Sequence, residues 1–165
     1  MAGLPSREVP LPPFSVLLEG ADSLVVYEGL PHRGFDRAAY AQEKTDKQVF
    51  RVSGEFFYEK LLPVTDADRQ ALDRLFRGQD PCAPYRAGKL CGGFHADYMI
   101  EWRKGDEPLT RVLVCFGCRE FIVMAGPFNR KTDITPAGVE ALHLLLAHYR
   151  QERPDAQSAE ARVAP

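Results

Sequence analysis

Apolar and polar residues alternate along this chain in two rhythms, a period of two and a period near four. They do not follow the strand–helix–strand order of a parallel sheet. Ser23–Glu28 (SLVVYE) is β-branched and stops at Gly29-Leu30-Pro31, which predicts a strand ending in a tight loop. Residues 36–44 read as a short helix built on Ala38, Ala39 and Tyr40. Residues 48–58 alternate as one or two strands interrupted at Ser53-Gly54. The clearest β region follows later, where Tyr98, Ile100 and Trp102 alternate with Asp97, Met99 and Glu101. A turn falls at 104–108, and residues 111–116 and then Glu120–Ala125 continue the pattern as antiparallel strands.

Two stretches carry the helical period. Thr65 is placed to cap a helix running to about residue 77, with Asp66 and Asp68 in its first turn. Its buried stripe is Ala71, Leu72, Leu75 and Phe76, and Gly78 supplies the stop. Thr135 caps the second, Pro136 takes its first position, and Val139, Leu142, Leu146 and Tyr149 share a face. Strand runs segregated from helices imply an α+β fold, a single domain in which an antiparallel sheet of about four to six strands is packed on one side by the two main helices.

The ends lack either rhythm. Residues 1–13 hold four prolines and read as a Pro-rich flexible N-terminal tail, while residues 151–165 (QERPDAQSAEARVAP) read as a disordered C-terminal tail. The domain is therefore expected over 14–150. Net charge is −2, with 21 basic residues dispersed among 23 acidic ones, so no basic face is expected for nucleic acid or an anionic membrane. The N-terminus has no signal-peptide pattern, and no apolar run approaches a membrane span, so a cytoplasmic address is expected. In that reducing compartment the four cysteines are expected as thiols or metal ligands rather than permanent disulfides. No G-x-S-x-G, P-loop or dinucleotide-binding glycine pattern occurs.

One constellation suggests chemistry: Cys91 and His95, then Cys115-Phe-Gly-Cys118, four groups of the kinds that close a tetrahedral zinc site. Placing Trp102 opposite Arg111 sets Tyr98 against Cys115 and His95 against Cys118, with opposed Cβ atoms roughly 5 Å apart. On that register Cys115 shares the core face of Tyr98 and Ile100. A regular strand would point Cys115 and Cys118 to opposite faces, unless Gly117 takes a positive φ and turns the strand end. Three readings stand side by side. The cysteines are small buried hydrophobes with His95 a satisfied loop histidine, or the four residues hold a structural zinc ion. Alternatively they form a functional thiol pair or an open catalytic metal site. Cys82 is a replacement ligand or a free loop thiol. Asp97 lies two residues from His95, where it would fix the ring's tautomer or serve as a plain polar residue at a strand entry. His32 is a further ligand, a general base or a solvated loop group. Arg119 stands where c-type haem attachment would need histidine. A thioredoxin-like pair would need a helix N-terminus, and this pair ends a strand.

The segments EGLPH at 28–32, CGGFHADY at 91–98 and VCFGCRE at 114–120 resemble those of a group of small uncharacterised bacterial proteins. The resemblance implies no activity, only that the three segments form one site; Arg119 departs from the histidine that follows CFGC in that group. The expected function is a small cytoplasmic binding or interaction module for another protein, held by a structural zinc on Cys91, His95, Cys115 and Cys118. The alternative is a thiol- or metal-dependent enzyme, with Cys118 as nucleophile or ligand, His95 as base and Asp97 orienting it.

Overall fold

The computed structural model of the protein describes residues 9–154. Its strands and helices are those of an α+β fold, with the strands assigned to two antiparallel sheets. In order these are α1 (Phe14–Leu17), β1 (Ser23–Glu28), α2 (Arg37–Asp46), β2 (Val49–Val52), β3 (Glu55–Tyr58) and α3 (Asp66–Arg74). Then follow β4 (Cys82–Ala83), β5 (Tyr98–Lys104), β6 (Glu107–Cys115), β7 (Glu120–Ala125), β8 (Phe128–Ile134) and α4 (Pro136–Leu146). The main sheet runs β1-β5-β6-β7-β8-β4, and β2 with β3 makes a separate hairpin.

Alternation gives the main sheet two different faces. On one, Leu24, Val26, Tyr98, Ile100, Trp102, Val112, Val114, Phe121 and Val123 pack against Phe14, Leu72, Leu75, Phe76, Leu142 and Leu146. Both predicted caps are present. Thr65 Oγ1 accepts from the Asp68 amide at 3.1 Å, and Thr135 Oγ1 accepts from the Gly138 amide at 3.1 Å. The stop at Gly78 is not where the first helix ends. The chain widens into a π turn over Leu75–Gln79, and Asp80 takes the left-handed conformation at φ +46°. That wider turn buries Leu75 and Phe76 together, with Phe76 against Trp102 at a ring-centroid separation of 5.0 Å. The opposite face carries a smaller apolar cluster, Tyr27, Val52, Phe57, Met99, Leu113 and Ile122.

Three elements differ from expectation. β8 (FNRKTDI) was not legible because its pattern is dominated by polar residues; only Ile134 of its seven residues is buried. The register of β5 on β6 is displaced by one residue, Trp102 facing Thr110 and Tyr98 facing Val114, with an irregularity between Trp102 and Arg103. Because side chains alternate, a one-residue slip changes which face a residue occupies. The third difference is the C-terminal boundary. Residues 151–154 pack on the domain, and the amides of Gln151, Glu152 and Arg153 donate to the Glu28 carboxylate at 3.0, 2.7 and 3.0 Å. Glu28 is 1% exposed, so those donors satisfy a carboxylate withdrawn from water. The rest of the expected tails, 1–8 and 155–165, lies outside the described residues. Among the described residues no helix is long and apolar enough to cross a membrane.

Candidate functional site

The three segments singled out in the sequence meet around one cavity of about 260 Å³ lined by His32, Cys91, His95, Asp97, Cys115 and Arg153, among others. Glu28 ends β1 and holds the C-terminal segment that brings Arg153 in. Gly29 makes the close approach to the next segment possible. Its amide donates to the Asp97 carbonyl at 2.8 Å, and a Cβ there would stand 1.9 Å from the Ala96 carbonyl oxygen. A side chain at residue 29 would therefore push the two segments apart. With that contact made, the Leu30 carbonyl comes 2.6 Å from His95 Nε2, and the His32 ring lies 4.8 Å from the His95 ring.

The displaced register puts Cys115 on the same face as Leu113 and Met99, away from the Tyr98 and Ile100 face expected for it. It is buried, and its sulfur accepts from the Cys118 amide at 3.3 Å. Burial pushes the Cys115 thiol above its ordinary range, against the lowering effect of the His95 and Cys118 amides. The turn after β6 does not use Gly117 for its positive φ. Arg119 takes it, at φ +54°. That turn brings Cys118 to Cys91, and the two are joined in a disulfide with Cα atoms 5.2 Å apart. Cys91 is half-buried and Cys118 buried, and the Gly92-Gly93 pair beside them turns through φ values of +76° and +89°. Phe35 lies directly over Gly92, where a Cβ would meet its ring at 2.5 Å.

These contacts show how the four residues of the zinc expectation are arranged in this state. Cys91 and Cys118 are bonded to each other and have no thiolate to offer a metal. His95 has its Nε2 against the Leu30 carbonyl and its Nδ1 3.5 Å from Asp97 Oδ1. The four expected ligands Cys91, His95, Cys115 and Cys118 are thus close in space but do not form a tetrahedral set. Among the described residues no group of three or more His, Cys, Asp or Glu side chains is placed to hold a metal ion. The disulfide also departs from the expectation that all four cysteines are reduced. Cys82 is free, half-buried beneath Thr132, and its thiol is pushed by burial up to about 11.

The pairing of Asp97 with His95 is present, and it has a third member that the sequence did not suggest. Arg153 Nη1 donates to Asp97 Oδ1 at 3.0 Å, while the Phe116 amide donates to Oδ2 at 2.8 Å. Burial alone would raise the Asp97 carboxyl. The hydrogen bond from His95, the Arg153 guanidinium and the Phe116 amide outweigh it and hold the group below its usual value. His95 is oriented by Asp97 but aims its other nitrogen at a carbonyl, so it is not in position to act as a base on Cys118. Arg153 was hidden by lying in a segment with no apolar period. The sole signal in its favour was Glu28, an acid at the buried end of a strand that required donors from elsewhere.

His143 and His148, five apart on the last turns, are both exposed. Comparison of the chain with protein-family models, with curated proteins and with solved structures yields no match.

Proposed function

We propose that this domain is a thiol–disulfide exchange module, its Cys91–Cys118 disulfide opening and closing with external thiols. The observation that supports this most is the third cysteine. Cys115 keeps a free thiol against the Cys118 amide, in the cavity that Cys91 also lines. A staple serving stability alone needs two cysteines. A set of three, of which two can pair at a time, allows the disulfide to move.

The exchange balances as follows. The thiolate of an external thiol attacks the Cys91 sulfur, forms a mixed disulfide and breaks the bond to Cys118. Cys118 leaves as a thiolate and takes up a proton equivalent to the one that the incoming thiol lost. A second external thiol displaces the first from Cys91, so two thiols are oxidised to one disulfide and the protein's disulfide is reduced by two electrons. Internally, a Cys115 thiolate attacking Cys118 would form Cys115–Cys118 and release Cys91, with no net oxidation. The raised Cys115 thiol keeps that internal step slow near neutral pH, and Cys91–Cys118 is the pair found bonded. A disulfide of this transient kind is compatible with the cytoplasmic address expected from the sequence.

The test is alkylation followed by mass spectrometry on the folded protein in 2-mercaptoethanol. Cys91 and Cys118 should become alkylated together while the near-ultraviolet circular dichroism is retained. Cys118→Ser, mixed with the disulfide of 2-mercaptoethanol, should accumulate a mixed disulfide on Cys91. If the pair yields only under conditions that unfold the domain, the disulfide is a structural staple and the reading fails.

A further inference from the structure

Of the bonded pair, Cys91 is half-buried and Cys118 buried, so an incoming thiol meets the Cys91 side. That side is bracketed by apolar side chains left in water. Leu90, the residue before Cys91, is fully exposed, and Phe35, whose ring lies over Gly92, is 72% exposed. Neither belongs to the apolar clusters on the two faces of the sheet. Exposed apolar residues scattered singly need no explanation. These two stand on either side of one reactive sulfur, where apolar groups with a polar rim mark a place for another molecule.

The exposed charges around them have one sign. Arg33 and Arg37 flank Phe35, Arg86 precedes Leu90 in its loop, and Arg119 follows Cys118; all four are exposed. The Arg86 amide donates to Asp133 at 3.3 Å, and the Arg119 carbonyl accepts from the Ile134 amide at 2.8 Å. Both arginines therefore lie where β7 begins and β8 ends, beside Cys118. The acids nearby are withdrawn from the surface. Asp36 is half-buried, while Glu120 and Asp133 are held by Lys89 at 2.9 and 2.5 Å. Arg33 approaches Glu55 only to 4.0 Å, with its own side chain 56% exposed. A chain of net charge −2 thus presents a positive rim at its disulfide.

Resting on the exchange reading above, we propose that the thiol partner is a cysteine in an extended segment of another polypeptide. That segment has apolar residues beside its cysteine and acidic residues beyond them. The apolar neighbours cover Phe35 and Leu90, and the acids face the arginine rim. The cysteine is the external thiol of the exchange already written: its sulfur bonds to Cys91, and Cys118 leaves as a thiolate. Covering apolar area supplies affinity, while opposite charge speeds encounter and sets orientation. A thiol of few atoms has nothing to cover either side chain with.

The experiment uses the full chain and three end-capped peptides: Glu-Phe-Cys-Leu-Glu, Glu-Gly-Cys-Gly-Glu and Lys-Phe-Cys-Leu-Lys. Rates of opening of Cys91–Cys118 are corrected for the thiolate fraction of each peptide. At low salt the first should exceed each of the others by about tenfold. In Leu90→Ser and in Phe35→Ser its advantage over the glycine peptide should fall towards one. In the double variant Arg37→Glu, Arg86→Glu its advantage over the lysine peptide should reverse. Added salt should shrink the charge preference and leave the apolar one. Equal corrected rates in wild type, or ratios unmoved in the variants, would overturn the surface; opening by 2-mercaptoethanol would then leave the exchange reading intact. If no thiol opens the disulfide, the exchange reading has failed, and the surface is tested with the serine analogue of the first peptide. Saturating shifts of the Leu90 and Gly92 amide resonances, lost in Leu90→Ser, would support it, and no shifts would overturn it. Two other occupants are read on the free chain, by sedimentation alone and with phosphatidylserine vesicles. A dimer, or vesicle binding, that Leu90→Ser abolishes would overturn the polypeptide assignment.

Discussion

The two faces of the main sheet are built from the same strands and behave as different materials. The helix-covered face is mostly apolar, and its buried polar groups are few. They include Thr110, whose hydroxyl donates to the Leu17 carbonyl at 2.7 Å, and Glu28 at the end of β1. Trp102 Nε1 donates to Asp73 at 2.9 Å. The other face mixes its small apolar cluster with buried charge. Glu101, 1% exposed, is held by Arg103 and Arg111 at 2.6 and 2.7 Å, and Glu120 by Lys89 at 2.9 Å. At its rim lie His95, Asp97, Arg153 and the three cysteines. Burial of apolar area drives the first face and is indifferent to redox state and weakly sensitive to pH. The second depends on groups whose partners are specific, so acid or a reductant can alter it while the first remains.

Breaking the first face should cost most. Trp102→Ala leaves a large hole beside Phe76 and should lower stability by about 3–5 kcal/mol, and Leu142→Ala by about 2–5 kcal/mol, read from urea midpoints. Neither loss should depend on reductant. A loss below about 1 kcal/mol at Trp102 would show that the helix-covered face is not the main store of stability.

Opening the disulfide comes next. It closes a loop with a sequence separation of 27, for which the chain-entropy estimate is about 3.5 kcal/mol. Cys91→Ser should fall below wild type by about that amount under oxidising conditions and by almost nothing under reducing ones, because wild type then loses the crosslink too. An equal gap in both conditions would mean that serine perturbs packing rather than the crosslink.

Glu28 lies on the face of Leu24 and Val26, opposite Tyr98, where that face ends against the C-terminal segment. Removing the acceptor of three amides, by Glu28→Ala, should cost about 2 kcal/mol. Ending the chain after Arg150 should cost a similar amount, since it strands the same buried carboxylate. Ending it after Pro154 keeps those bonds. A truncation at Arg150 without effect would return the boundary to residue 150.

The acid limb should separate the faces by pH. Asp97 has its carboxyl held below the usual value in the folded state. Its contribution is therefore complete above the unfolded value of about 4 and is lost as the pH falls through the lower folded value. Asp97→Asn should flatten that part of the stability curve, whereas Leu142→Ala should shift the curve down without changing its acid slope. The smallest expected effect is that of a chelator. With Cys91 and Cys118 paired, it should leave the melting temperature of the oxidised protein unchanged. A chelator-sensitive melt accompanied by one equivalent of zinc would restore the four-ligand site.

How much of this could be read beforehand follows from the range of each interaction. Thr65, Thr135 and Pro136 act within a turn of their own position, so both helix starts were legible. Leu142 and Leu146 announced a buried stripe by spacing alone, and both are fully buried. The hairpin pairing of β5 with β6 was legible, but its register was not, because the irregularity between Trp102 and Arg103 depends on local backbone detail. That one residue moved Cys115 from the helix-covered face to the face of the cavity.

The sequence by itself determined the α+β class, the two capped helices, the apolar face and the nomination of Cys91, His95, Cys115 and Cys118 as neighbours. Local period and capping chemistry carry that information. Tertiary structure alone decided that Cys91 pairs with Cys118 and that Cys115 stays free. It also turned His95 to Leu30 and Asp97, and brought Arg153 across to the site on the amides held by Glu28. Apart from the His95–Asp97 pairing, which two-residue spacing already suggested, those outcomes join residues 27 to 125 positions apart. Only the folded backbone sets such distances, because no local preference extends so far along the chain.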